Sequence, residues 1–308
     1  MLRLDRLLCL VSPAVSSSTA LRQAMHLASV CDAAVDVMSI GEPVSQSALS
    51  DAVGSEERRL NTSIRVTHAG TLPDDREEAL EAAAKYVEKE GVGLVLSDSL
   101  PNHVTGSEAT GRWKHALLRR LDCPIFMVDA CANPERVERI LVPTDLSASS
   151  VNTLKHAVAV ANCYDASIVL LHVLEASPYV ALTPMDRLSL GATTLSEHRA
   201  RRRLHRLVKK VETAGGKIHP RIVFGAPADQ ITRFVDENDV DLVVLSSHGA
   251  SAHAERSFGP VADQVLRCLA CPFLLIRSSG ESLLSTDKER ETENHGGESN
   301  GSSVSSSR

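Results

Sequence analysis

The sequence predicts an α/β protein of two tandem doubly wound domains, each with a five-stranded parallel sheet flanked by helices. Three observations carry this reading: an internal repeat, an alternation of short apolar runs with longer amphipathic ones, and a length of 308 residues that suits two domains of ordinary size. The repeat starts without a gap. At an offset of 133, Arg6-Leu7-Leu8 meets Arg139-Ile140-Leu141, Leu21-Arg22 meets Leu154-Lys155, and Asp32-Ala33 meets Asp165-Ala166. Toward its end the offset is 148, where Gly111 meets Gly259, Leu118-Arg119 meets Leu266-Arg267, and Cys123-Pro124-Ile125 meets Cys271-Pro272-Phe273. A duplicated unit therefore gives a first domain over 1–132 and a second over 133–278, followed by a tail over 279–308. The junction from Asp129 to Glu135 is short, which favours halves that pack together.

In the second half, apolar runs place strands at Arg139 to Pro143, Ser167 to Val173, Lys217 to Phe224, Asp241 to Ser246 and Pro272 to Arg277. Apolar residues at helical spacing place helices over Ser150 to Cys163 and Ala226 to Glu237. The connection from Ser177 to Gly216 opens with Pro178 and Pro184, which predict a mobile loop. From about Ser196 it becomes a helix with Leu204, Leu207, Val208 and Val211 on one stripe. Around that stripe lie Arg199, Arg201, Arg202, Arg203, Arg206, Lys209 and Lys210. With no aromatics interleaved and an acidic chain overall, this reads as a solvated helix face rather than a nucleic-acid surface.

Two stretches carry the chemistry. The strand Leu242-Val243-Val244-Leu245 breaks into Ser246-Ser247-His248-Gly249, and after nine residues Gly259-Pro260 opens a helix. Glycine between a strand and a helix start lets backbone N–H groups approach an anion, and the helix end adds unpaired donors and a positive dipole. The other stretch, Arg139 to Ser147, is an apolar strand ending in Asp145 and a serine cluster able to cap the next helix. Ligands of such sheets sit beyond the strands' carboxyl ends, where strand order reverses, and both stretches fall at such ends.

Together these stretches resemble the universal stress protein family. Its nucleotide-binding members carry Gly-x-x-Gly, nine residues, then Gly-Ser or Gly-Thr, with an Asp closing the first strand. Here the spacing holds, with Ser246 at the first Gly and Pro260 at the Ser or Thr. The resemblance implies a site for ATP or another adenine nucleotide, built from Thr144, Asp145, Val173, Ser246, His248, Gly249, Gly259 and Pro260. Asp145 would hydrogen-bond near the adenine or ribose, and His248 would orient the loop backbone. It also implies that the last strand of each half pairs with the other, Pro124 to Val128 against Pro272 to Arg277, as an intramolecular pseudo-dimer that could associate further.

The first half keeps the pattern of the fold but not that of the site. Ser12 stands at the position of Asp145, Pro101 at that of Gly249, and Arg112 follows Gly111. Proline offers no N–H, so the first domain is expected to act as a structural partner.

Composition narrows the remaining classes. Hydrophobic content of 43% fits a soluble globular protein, and no apolar run approaches a membrane span. Leu7 to Val11 is too short for an export signal, so a cytoplasmic location is expected. The net charge of -6 argues against nucleic acid as a partner. Seven cysteines without an export signal read as reduced thiols. Cys268 and Cys271 form a CxxC without a second ligand pair or redox setting, so no metal site is expected. The Ser-, Glu-, Gly- and Asn-rich tail predicts disorder.

No nucleophile elbow, Gly-Lys-Ser/Thr loop or metal cluster accompanies Ser246, Ser247 or His248. The leading reading is a regulatory protein of the stress response that binds an adenine nucleotide weakly in its second domain. The alternatives are a scaffold that acts through protein contacts without nucleotide, and a slow ATP-hydrolysing switch whose water-activating residue the sequence does not identify.

Overall fold

The first strand, Arg6–Val11, carries the apolar run Leu7 to Val11 buried on both faces, which requires covering layers above and below it. The computed structural model describes residues 2, 4–12, 15, 18–73, 75–98, 107–128, 136–175, 186–211, 217–247, 258–269, 271–277 and 283–284. In the first half these form β1 (Arg6–Val11), α1 (Thr19–Cys31), β2 (Ala34–Ile40), α2 (Gln46–Leu60), β3 (Val66–Leu72), α3 (Arg76–Glu90), β4 (Leu94–Asp98), α4 (Ser107–Arg120) and β5 (Ile125–Val128). The second half supplies β6 (Arg139–Pro143), α5 (Ser149–Tyr164), β7 (Ser167–Leu174), α6 (Asp186–Val211), β8 (Lys217–Phe224), α7 (Pro227–Glu237), β9 (Leu242–Ser246), α8 (Pro260–Cys268) and β10 (Phe273–Ile276).

The strands form one sheet in the order β3-β2-β1-β4-β5-β10-β9-β6-β7-β8. Within each half every pairing is parallel, and the doubly wound order reverses between β1 and β4 and again between β6 and β9. The halves meet where β5 runs antiparallel to β10, with Phe273 opposite Met127 and Leu275 opposite Ile125. This is the cross-half pairing implied by the family resemblance.

Alternate residues of each strand point to opposite faces, so the core splits into two layers that both span the halves. Leu7, Cys9 and Val11 pack with α1, α5 and α6 on one face. Leu8 and Leu10 share the other face with residues of α3, α4, α7 and α8. The repeated Asp-Ala pair has a structural cause: Asp32 and Asp165 end α1 and α5 at φ 56 and φ 53. Asp tolerates the left-handed region better than most side chains, and the next amide then closes the helix, Ala33 N–H to Ala28 O and Ala166 N–H to Ala161 O.

A buried guanidinium fastens the seam. Arg277, just past β10, is 6% exposed and donates to the carbonyls of Leu118 and Leu121 at the end of α4. A cation there satisfies orphan carbonyls and the negative end of the helix dipole. Lys114 of α4 in turn lies 4.7 Å from the ring centroid of Phe273.

Two expectations need correction. Helix α6 begins at Asp186, ten residues before the expected Ser196. Nothing after Pro184 breaks a helix except Gly191, whose cost of about 1 kcal/mol is small against the buried stripe further on. The expected mobile loop falls on residues 176–185, which lie outside the described ones. Within the tail expected to be disordered, Leu283 is 2% exposed and Leu284 pairs with Leu2. These are adjacent apolar residues in an otherwise polar segment, and they pack on the core; the rest of 279–308 lies outside the described residues.

The anchor for Leu283 is His156 of α5, itself 1% exposed. Its Nδ1–H donates to Asn152 O at 2.8 Å, so the neutral ring presents Nε2 to accept the Leu283 N–H at 3.1 Å. Burial holds this imidazole below the ordinary histidine range, with Lys155 adding to the effect against the Asn152 hydrogen bond. A lowered folded-state value means that the unfolded chain binds the extra proton more readily. The stabilisation is therefore complete above the unfolded value of about 6.5 and is lost as pH falls below it. Urea titrations of the native chain are expected to show stability falling on acidification through this window. A His156→Leu chain should start lower and fall less steeply; equal slopes would assign the dependence to other groups.

Candidate functional site

The loop after β6 is built by its own polar side chains. Thr144 N–H donates to Leu171 O at 2.8 Å, holding the end of β6 against β7. Thr144 Oγ1 accepts from Leu146 N at 3.0 Å, and Asp145 Oδ1 accepts from Ser147 N at 2.9 Å. These turns hold Leu146 at φ 62, an uncommon conformation for a branched residue. From below, the Thr144 hydroxyl donates to Ser150 Oγ at 2.9 Å, and the Ser150 hydroxyl donates to Asp145 Oδ1 at 3.0 Å. The carboxylate is thus fixed by the first turn of α5. No side chain of the N-cap residue, Ala148, caps that helix.

Beyond the carboxyl ends of β6, β7 and β9 lies a cavity of about 390 Å³, at the point where strand order reverses. Thr144, Asp145, Val173, Ser246, Gly259 and Pro260 all line it. His248 and Gly249, also expected there, lie outside the described residues. Val173, Ile231 and Leu245 supply apolar wall, while Asp145 and Glu175 supply two carboxylates. Among the described lining residues there is no lysine or arginine.

Three contributors escaped the sequence reading. Ser150, Glu175 and His172 line the cavity, and His172 Nδ1 lies 2.8 Å from Thr144 O. Their positions, at the mouth of β7 or in the first turn of α5, were the available signal. The helix start at Gly259-Pro260 also differs from a free phosphate cradle. Gly259 has φ -60, which any residue adopts, and its N–H donates to Ser247 O at 3.2 Å. Pro260 has no N–H, and intrahelical bonding begins with Asp263 N–H to Gly259 O at 2.9 Å. The amides of Val261 and Ala262 are then those without an intrahelical acceptor at this end of the cavity.

The equivalent place in the first half is differently filled. Asp98, at the repeat position of Ser246, accepts from Ser18 Oγ at 2.7 Å and from Ala20 N at 2.8 Å. A carboxylate from the chain itself therefore occupies the start of α1. Burial raises its pKa, opposed by the hydrogen bonds of Ser18, Ala20 and Thr19. Ser12 is described at the end of β1, whereas Pro101 lies outside the described residues.

No helix among the described residues is long and apolar enough to cross a membrane. Among them, no group of three or more His, Cys, Asp or Glu residues is placed to hold a metal ion.

Known proteins with related sequence or fold point in one direction. The sequence model of the universal stress protein family matches residues 136–277. A universal stress protein of Methanocaldococcus jannaschii is 31% identical over 140 residues, covering 46% of this chain and 82% of that protein. A second universal stress protein of the same archaeon is 25% identical over 154 residues, covering 46% of this chain and 94% of its own. In fold, the crystal structure of a putative universal stress protein from Pseudomonas aeruginosa UCBPP-PA14 superposes with a TM-score of 0.66 at 17% identity. It covers 89% of this chain and 93% of its own, so the likeness extends over both halves. The chain belongs to the universal stress protein family.

Proposed function

We propose that the second half binds an adenine nucleotide in the cavity above β6, β7 and β9, and that the chain serves as a nucleotide-responsive regulatory protein of the stress response. The observation that carries this is the convergence of one positioned carboxylate, an apolar slot and two helix starts at the strand-order reversal. A volume of about 390 Å³ lies within the range of small-molecule pockets. Asp145, held by Ser147 and Ser150, would accept hydrogen bonds from an adenine amino group or a ribose hydroxyl. Val173, Ile231 and Leu245 would cover the base.

The phosphate end is the weaker one. Gly259's N–H is already used, Pro260 has none, and Asp145 and Glu175 repel anions without a nearby Lys or Arg among the described lining. What remains is the start of α8, through Val261 and Ala262, with its positive dipole end. Recognition would therefore rest on the nucleoside, and the terminal phosphates would add little. The first half would not bind, since Asp98 satisfies the donors at the start of α1 and Ser12 supplies no carboxylate. The same features at Gly259 and Pro260 favour a second reading, a scaffold that takes no nucleotide.

Thermal-shift titration with adenosine, AMP, ADP and ATP separates the two, because a ligand selective for the native state raises its apparent stability. Binding is expected for all four, with a shallow dependence on phosphate number; no shift with any would favour the scaffold. Asp145→Ala should weaken binding by about 1.5–3 kcal/mol, the usual loss for hydrogen bonds to a charged group, or roughly tenfold and more. Ser12→Ala should leave affinity unchanged. Equal effects would sink the assignment of the site to the second half.

A further substitution tests the phosphate end alone. Ser246→Gly combined with Pro260→Ser removes a side chain from the loop and returns one N–H and one hydroxyl to the start of α8. Affinity for ATP should rise more than affinity for AMP. An unchanged ratio would mean that this loop does not face the phosphates.

A further inference from the structure

Helix α6 has two faces of opposite chemistry. Its apolar stripe, Leu204, Leu207, Val208 and Val211, is buried in the core layer that also takes Leu283. On the outer side Arg199, Arg202, Arg203, Arg206, Lys209 and Lys210 are all exposed. Steps of three and four residues bring these six onto one strip of the helix surface, about 16 Å long. Among the described residues the ion pair of this helix is made elsewhere, by Arg201 with Glu197, and none of the six has an acidic partner.

Like charges three and four residues apart destabilise a helix, so the bare strip calls for counter-charge from outside it. The repeated unit does not require such a strip. In the same place between β2 and β3, α2 carries Asp51, Glu56 and Glu57 beside Arg58 and Arg59, and Arg59 pairs with Glu56.

We propose that the acidic segment Asp287 to Glu293 of this chain's own tail lies along the strip as a charge-held strap. Asp287, Glu289, Glu291 and Glu293 alternate with Lys288, Arg290 and Thr292. An extended chain sends alternate residues to opposite sides, so the four carboxylates share one side over about 20 Å and the two cations take the other. That length matches the strip. The tail also starts in the right place: Leu283 is fastened to His156 of α5, Leu284 pairs with Leu2, and α5 packs against α6. From Leu284 to Asp287 the chain reaches up to about 10 Å, the separation of two packed helix axes. A tethered segment is presented at high effective concentration, whereas the net charge of -6 repels acidic partners that arrive from outside. No aromatics are interleaved with the cations to stack on nucleotide bases. The strap thus keeps other polyanions off the strip.

The test uses the full chain and a carbodiimide, which joins a carboxylate to an amine in contact with it. Arg202→Lys and Arg206→Lys supply amines beside Lys209 and Lys210 without changing the charge. Expected are links within one chain from these lysines to residues 287–293, found by mass spectrometry in the monomer fraction and lost in about 0.5 M salt, where ion pairs are screened. A second chain, with Asp287→Asn, Glu289→Gln, Glu291→Gln and Glu293→Gln, uncovers the strip and should elute from a heparin column at higher salt than the native chain. It should also elute later than a control of equal net charge with Glu42→Gln, Asp51→Asn, Glu78→Gln and Glu88→Gln, which are exposed carboxylates of the first half. Absence of links to residues 287–293 overturns the proposal. Links between chains overturn it by giving the strip to a second copy. Elution of the neutralised tail variant together with the control also overturns it, because the strip would then be open in the native chain to an external polyanion or to water.

Discussion

The antiparallel contact of β5 with β10 is the constraint on which the rest of the structure depends. Ile125–Val128 and Phe273–Ile276 are short, wholly apolar strands buried on both faces. Each would be the raw edge of its own five-stranded sheet, with unpaired backbone donors and acceptors beside exposed hydrophobic residues. Paired, they become the centre of one ten-stranded sheet, and both core layers run across them. The buried Arg277 follows from the same arrangement. A guanidinium can be buried there because the end of α4 offers carbonyls with no partner inside the helix.

Given that shared scaffold, the halves differ in their chemistry at the ends of β1, β4, β6 and β9. A helix start needs acceptors, and the chain meets that need in two ways. In the first half Asp98 reaches from the end of β4 to the start of α1 and satisfies it internally. In the second, Ser246 stands at the repeat position of Asp98, and the carboxylate has moved to Asp145, on the loop itself. Internal satisfaction favours stability. A carboxylate held at the rim of a cavity favours recognition of something outside the chain.

Much of this architecture was legible from the residues. Strands β6 and β8 fall on the expected bounds, because Arg139 to Pro143 and Lys217 to Phe224 stand between unambiguous breaks. The Asp-Ala identities in the repeat marked two left-handed helix caps before their cause was visible. What escaped depended on distance in space. Asp98 reads as the polar end of a strand, and only the fold brings it 78 residues back to Ala20. The contact of His26 with Tyr164 was hidden by the repeat that revealed so much else. In sequence register Tyr164 aligns with Cys31, and His26 with Ala159. Across a pseudo-twofold contact, a position meets a neighbour of its counterpart, so the alignment does not pair the residues that touch.

The cavity and the seam are not separate features, because α8 belongs to both. Its first turn, Pro260 to Ala262, lines the cavity. One residue later Asp263 lies 3.7 Å from Arg119 and 3.7 Å from His115, both on α4 of the first half. Leu266 of the same helix is fully buried in the layer shared with Leu117 and Leu118. Asp263 also pairs with Arg267 one turn on, at 3.0 Å. Burial lowers the pKa of His115, partly offset by Asp263, so the neutral imidazole is favoured and Arg119 is the permanent cation across this contact. Partly exposed pairs of this kind add little stability by themselves. Their importance is positional: anything that draws the start of α8 toward the cavity also acts on the helix that meets the first half. Under the proposed nucleotide binding, a first domain whose own helix start is occupied by Asp98 would meet the occupied site through this helix rather than through a ligand of its own.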